Sequence, residues 1–114
     1  MNVRSFVVVT TNEIPGARIV QVFGVVQGIV VRAVPIVERV SGFVSGLSGG
    51  SLRQFEDVCE DARQEAYSRM KDMARDKGAN AIVGMRFDAV EVGKSMSEVL
   101  AYGTAVKVEW PADD

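Results

Sequence analysis

Residues 52–80 read LRQFEDVCEDARQEAYSRMKDMARDKGAN, and this stretch decides the fold. Apolar residues recur at Leu52, Phe55, Cys59, Ala62, Ala66, Met70, Met73 and Ala74, in steps of mostly three or four. That period predicts one helix over residues 52–77 with a single buried stripe. Ser51 before it and Gln54 three residues later match a capping box. The polar face is ordered along the axis. Glu56, Asp57, Glu60 and Asp61 occupy the first half, while Arg69, Lys71, Arg75 and Lys77 occupy the second, as the helix dipole favours. Glu65 and Arg69 form an i,i+4 pair in the better orientation. Gly78 supplies the left-handed residue that ends a helix. Such a helix runs roughly 39 Å, against a radius of gyration of about 13 Å for a compact chain of this length. It must span the subunit, and a sheet is the surface it would lie across.

Working outward, residues 5–10 read as a strand, and residues 11–16 as a turn with Pro15 and Gly16. Residues 18–32 form a long strand, apolar on both faces. Strict alternation places Ile19, Phe23, Val25 and Ile29 on one side and Val20, Val22, Val26 and Val30 on the other. Gly24 and Gly28 mark bulges or close backbone approach. Residues 33–47 carry Ile36, Val40, Phe43, Val44 and Leu47 at helical spacing behind Pro35, predicting a short helix that Gly42 and Gly46 make irregular. Beyond the long helix, residues 81–92 read as a third strand, with Val83, Met85, Phe87 and Ala89 on one face and Arg86 and Asp88 on the other. A turn at residues 93–96 leads to a fourth strand over residues 97–110. The expectation is a single α+β domain over residues 1–110, with a frayed tail at 111–114. It would hold a small, mainly antiparallel sheet of about four strands, one long helix and one short irregular helix.

Composition bounds the function. The chain has 114 residues, 47% hydrophobic and 25% charged, with a net charge of −2. This is one soluble domain with a modest core, and nothing in its charge points to nucleic acid or to a membrane surface. There is no histidine and one cysteine. The commonest general base and the commonest metal ligand are therefore both missing, and no intrachain disulfide can form. No apolar run is long enough to span a bilayer and no leader is evident, which makes the cytoplasm the expected location.

The order of these pieces resembles a known family. Thr10-Thr11 follows the first strand, and Phe23-Gly24-Val25-Val26-Gln27-Gly28 punctuates the second. Gly49-Gly50-Ser51 enters the long helix, which carries Ala62-Arg63 and Glu65-Ala66. Gly78-Ala79-Asn80-Ala81-Ile82-Val83-Gly84 follows it, and Gly103-Thr104-Ala105-Val106 sits in the last hairpin. This is similar to the YbjQ-like family of small bacterial proteins of unknown function, over nearly the whole chain. The resemblance implies a dodecin-like α+β subunit that assembles into a homopentameric ring. It also carries a heavy-metal-binding description, and the lack of histidine departs from what that chemistry needs.

Several constellations of residues bear on chemistry. The glycines at 46–51, with Arg53, offer backbone donors to an anion at a helix start, but without the lysine of a phosphate loop they read as a connection. Cys59, Met70 and Met73 are soft donors whose helical spacing reads as core. Glu56, Asp57, Glu60 and Asp61 could hold a hard cation and read as a solvated face. Asp88 and Lys107 are the strand residues on which a carboxylate or lysine base would rest. Trp110 could stack on a flat ligand and reads as a hydrophobic strand end. No residue is assigned a catalytic role, and cofactor and metal residues stay unknown. The reading is a non-enzymatic module whose partner is itself. The rivals are a protein binding a small ligand or metal ion between subunits, and an enzyme with an interfacial carboxylate.

The expectation of self-assembly has a physical basis apart from the resemblance. A strand apolar on both faces needs cover on both; the long helix covers one face, and the only other candidate within the chain, residues 35–47, is short, broken by Gly42 and Gly46 and itself rich in apolar surface.

Overall fold

The computed structural model describes residues 5–33, 49–93 and 96–111, with the side chains of residue 33 and residues 49–55 outside the description. Residues 34–47 of the short helix expected at 33–47, Gly46 among them, and the frayed end at 112–114 lie outside the described residues. Five elements follow in order: β1 (Val7–Val8), β2 (Arg18–Ala33), α1 (Gly49–Asp76), β3 (Ala81–Glu91) and β4 (Met96–Glu109). The four strands form one mixed sheet in the order β1-β3-β4-β2. β1 runs parallel to β3, and both other pairings are antiparallel. The long strand β2 is thus an edge strand.

The turn after α1 fixes the link between helix and sheet. Gly78 takes a φ of 97°. Its N–H donates to the Arg75 carbonyl at 2.9 Å and the Ala79 N–H to the Ala74 carbonyl at 3.0 Å. These are the two bonds of a Schellman motif, which satisfy carbonyls the helix leaves open. Asn80 then joins the sheet with its side chain. Its amide nitrogen donates to the Val108 carbonyl at 3.0 Å and its oxygen accepts from the Val108 N–H at 2.8 Å. The Gly-Ala-Asn sequence is therefore a joint: a left-handed glycine, a buried alanine and a side chain that imitates strand backbone.

At its other end α1 begins earlier than expected. Gly49, Gly50 and Ser51 lie in its first turn, so Ser51 does not cap it from outside. The 28-residue helix is about 42 Å long and outruns its cover. Ala62, Ala66, Met70 and Ala74 are buried against Val26, Val30, Ile82, Met85, Val99, Ala101 and Ala105. Cys59 is exposed and Met73 is 39% exposed, which corrects the expectation that both belong to the core. Among the described side chains of the helix, the buried ones form a single i,i+4 row, and most of its members are alanine. Small side chains let the helix press close to the sheet. A Cβ on Gly28 would stand 2.1 Å from the Ala66 carbonyl oxygen and 2.7 Å from the Met70 nitrogen, so only glycine fits there.

Bulges reset the faces of two strands. In β2 the register shifts between Ile19 and Gln21 and again between Val22 and Gly24. Phe23 consequently packs with Val26 and Val30 on the helix side, not with Val25 and Ile29 as strict alternation gives. In β3 a shift between Val83 and Arg86 coincides with Gly84 at φ 63°. Val83 therefore faces away from Met85, which corrects their expected pairing. Val83 joins Ala81, Val106 and Val108 in a second cluster on the far face, closed by Ile14 from the loop after β1. The Ile14 loop closes only that end.

The described chain is elongated, with a radius of gyration of 18.2 Å and extents of 61 × 26 × 21 Å. A compact chain of this length has a radius of about 13 Å.

Candidate functional site: the open sheet face and the edge of β2

Among the described residues, the most distinctive surface lies on the part of the sheet that none of them covers. Cross-strand register puts Val25 beside Thr104, Gln27 beside Tyr102, Ile29 beside Leu100 and Val31 beside Glu98. Arg86, Asp88 and Val90 of β3 continue this face through Tyr102, Leu100 and Glu98. Val25 is 69% exposed, Val22 63% and Val90 52%, with Val31 and Ile29 also exposed. One wet valine needs no explanation, but an adjoining set on one strand does. The helix side is uncovered at the same end: Phe87 follows Met85 on that face and is exposed.

The edge of β2 is held to α1 by a small charged network. Arg32 and Arg69 both donate to the Glu65 carboxylate. Arg69 also donates to the Ile29 carbonyl at 2.7 Å. Donation from Arg32 is the main cause that holds the Glu65 carboxyl below its ordinary value. Partial desolvation opposes this, and the Arg69 charge adds to it. The i,i+4 pair legible in the sequence is thus half of a clamp whose other half, Arg32, no local pattern could reveal.

The structure disperses the other candidates. Met70 is fully buried while Cys59 and Met73 stand on the surface, so the three soft donors form no set. Glu56, Asp57, Glu60 and Asp61 are all exposed, and Glu60 accepts from Gln64 at 2.9 Å. Among the described residues, no group of three or more His, Cys, Asp or Glu is placed to hold a metal ion. Asp88 accepts from the N–H of Ala89 at 2.9 Å and is exposed. It lies on β3, whereas Lys107 lies near the other end of β4 beside Gln21, so the two share no cleft. Trp110 is half-buried against the far-face cluster. It lines an open cleft of about 460 Å³ with Gly16, Ala17, Arg18, Glu109 and Pro111, and Arg18 pairs with Glu109 at 3.0 Å on its rim. No helix among the described residues is long and apolar enough to cross a membrane.

Comparison with known proteins places this architecture. A YbjQ family model, described as "putative heavy-metal-binding", matches residues 6–109. The chain is 49% identical over 100 residues to UPF0145 proteins of Burkholderia mallei and of Burkholderia pseudomallei, covering 88% of this chain and 90% of each relative. Among solved structures it resembles a Pediococcus pentosaceus protein with unknown function of the DUF74 family. That match has a TM-score of 0.55 at 19% identity, covering 90% of this chain and 96% of the other. At that identity the likeness speaks to fold alone.

Proposed function

The chain belongs to the YbjQ-like, UPF0145 family, and from that premise we propose that it is a non-enzymatic, self-assembling module whose partner is a second copy of itself. The observation that carries the reading is the exposed apolar set on β2 and its neighbours. Fully burying a valine or isoleucine side chain is worth about 1.5–3 kcal/mol. Covering Val22, Val25, Ile29, Val31 and Val90 is therefore worth several kcal/mol, a large share of the stability of a small domain. The elongated subunit, with α1 and the hairpin arm running past their own core, fits a piece of a larger body better than a free monomer. The contact is heterologous, one patch meeting a different patch, and closes into a ring. Five copies, a dodecin-like subunit and a cytoplasmic location complete the proposal; the number and the likeness to dodecin come from the family resemblance.

A heavy metal is what the family description implies. The donors of one subunit do not fit it: there is no histidine, and Cys59 stands on the surface without a second thiolate in the chain. Native mass spectrometry of protein purified from its source tests both points together. We expect a multiple of the 12.3 kDa subunit with no added metal mass. A monomer spectrum would overturn self-assembly, and a stoichiometric metal mass would move the reading to a site built between subunits.

A further inference from the structure

The self-association reading makes no use of the open cleft at the Trp110 end of the sheet. Arg18 and Glu109 stand opposite each other where β2 begins and β4 ends. Arg18 Nη2 donates to Glu109 Oε1 at 3.0 Å. Among the described residues, the other guanidinium N–H groups and Glu109 Oε2 take no partner. The two side chains are 77% and 58% exposed, and an ion pair this wet contributes little to stability. Trp110 comes next in the chain. It is half-buried, packs against the far-face cluster that Ile14 closes, and also lines the cleft with Gly16 and Pro111. Gly16 has φ 85°, where a side chain is strained, and a Cβ there would meet Trp110 Cζ3 at 4.0 Å. The missing side chain leaves the ring open on that side.

The cleft volume of about 460 Å³ falls in the range of roughly 300–1,000 Å³ found for small-molecule sites. An indole lining such a cleft offers a planar ring a surface to stack on. One carboxylate and one guanidinium stand beside it. The carboxylate only accepts, and its two oxygens can take two adjacent N–H groups; the guanidinium only donates, and suits a ring carbonyl. The matching edge is two neighbouring N–H donors followed by a carbonyl. That is the aminopyrimidinone edge shared by guanine and pterin rings. Adenine presents an amino donor beside a ring-nitrogen acceptor and has no carbonyl. The two rim charges cancel, so the rim itself does not select a phosphate. We propose that this cleft binds a fused heterocycle with an aminopyrimidinone edge, stacked on Trp110, with its N–H groups on Glu109 and its carbonyl on Arg18. The site stands apart from self-association, because every residue that lines it belongs to one subunit.

Guanosine and pterin, titrated separately into the full chain by calorimetry, test this. Trp110 is the single tryptophan of the chain, so its fluorescence reports whether the bound ring sits in the cleft. The better of the two probes should bind saturably below millimolar concentration, once per subunit, with a change in Trp110 emission. It should bind at least about ten-fold more tightly than adenosine, as a matched set of hydrogen bonds requires, and which probe is better identifies the ring. Glu109→Gln, made at an exposed position, should keep its circular dichroism and weaken that probe at least about ten-fold. Trp110→Leu should weaken it at least about ten-fold as well, through the loss of stacking. The site would be overturned by no saturable binding of either probe, or by equal affinity for adenosine. Full affinity in folded Glu109→Gln, or binding that leaves Trp110 emission unchanged, would overturn it too.

Discussion

Replacing Gly28 by alanine tests the helix–sheet contact at its tightest point. The glycine is not among the residues with positive φ, so alanine meets no backbone strain and the effect is packing alone. The added Cβ would sit 2.1 Å from the Ala66 carbonyl oxygen, where ordinary contact begins at 3.4 Å. The helix would have to retreat by roughly 1.3 Å, because the opposing atoms are backbone and cannot rotate away. Overpacking of this kind costs about 1–3 kcal/mol. Retreat also opens the contacts of Ala62, Ala66, Met70 and Ala74, and a gap of about 0.5–1 Å already forfeits a quarter to a half of each contact's attraction. The total should be about 3 kcal/mol or more. At fixed protomer concentration that lowers the urea midpoint by about 1–3 M. Gly24→Ala is the control: it has φ 106° and nothing within 4 Å of its Cβ, so it should cost only the backbone strain, about 1–2 kcal/mol. If Gly28→Ala shifts the midpoint no more than Gly24→Ala, the close approach of α1 to β2 is wrong.

Three further outcomes are expected. Gly78→Val puts a β-branched residue at φ 97° and should cost at least about 1 kcal/mol, read as a lower denaturant midpoint. Glu65 has a folded-state pKa held below its ordinary value of 4.5, so its contribution is present above that pH and is lost as pH falls through the lowered value; Glu65→Gln should flatten the acid limb of a stability–pH profile measured by thermal melting. Zinc titration by calorimetry should show no saturable micromolar event, and a stoichiometric one abolished by Cys59→Ser would restore the heavy-metal reading.

The helix and its exit were legible because their signals are local. A 3.6-residue period, ordered charge and a glycine followed by asparagine need no knowledge of the rest of the chain. The start was not, because Gly49, Gly50 and Ser51 are poor helix formers that the structure nonetheless places in the first turn. The buried stripe was over-read at Cys59 and Met73 because periodicity reports a face, not how far the sheet beneath it extends. Alternation failed where bulges intervened, and of these only the ones beside Gly24 and Gly84 had a glycine to announce them. The parallel pairing of β1 rests on Val7 and Val8 alone, too short a run for any pattern. The most instructive strand is β2, whose two apolar faces call for cover on both sides and which lies at the edge of the sheet. Sequence records that a side chain belongs out of water; it does not record whether its cover comes from the same chain or from another copy.

Light scattering at micromolar protomer concentration, with circular dichroism on the same sample, tests the central claim most directly. The account predicts a folded particle several times the 12.3 kDa subunit mass, with five copies expected. A folded, soluble particle of 12.3 kDa would contradict it.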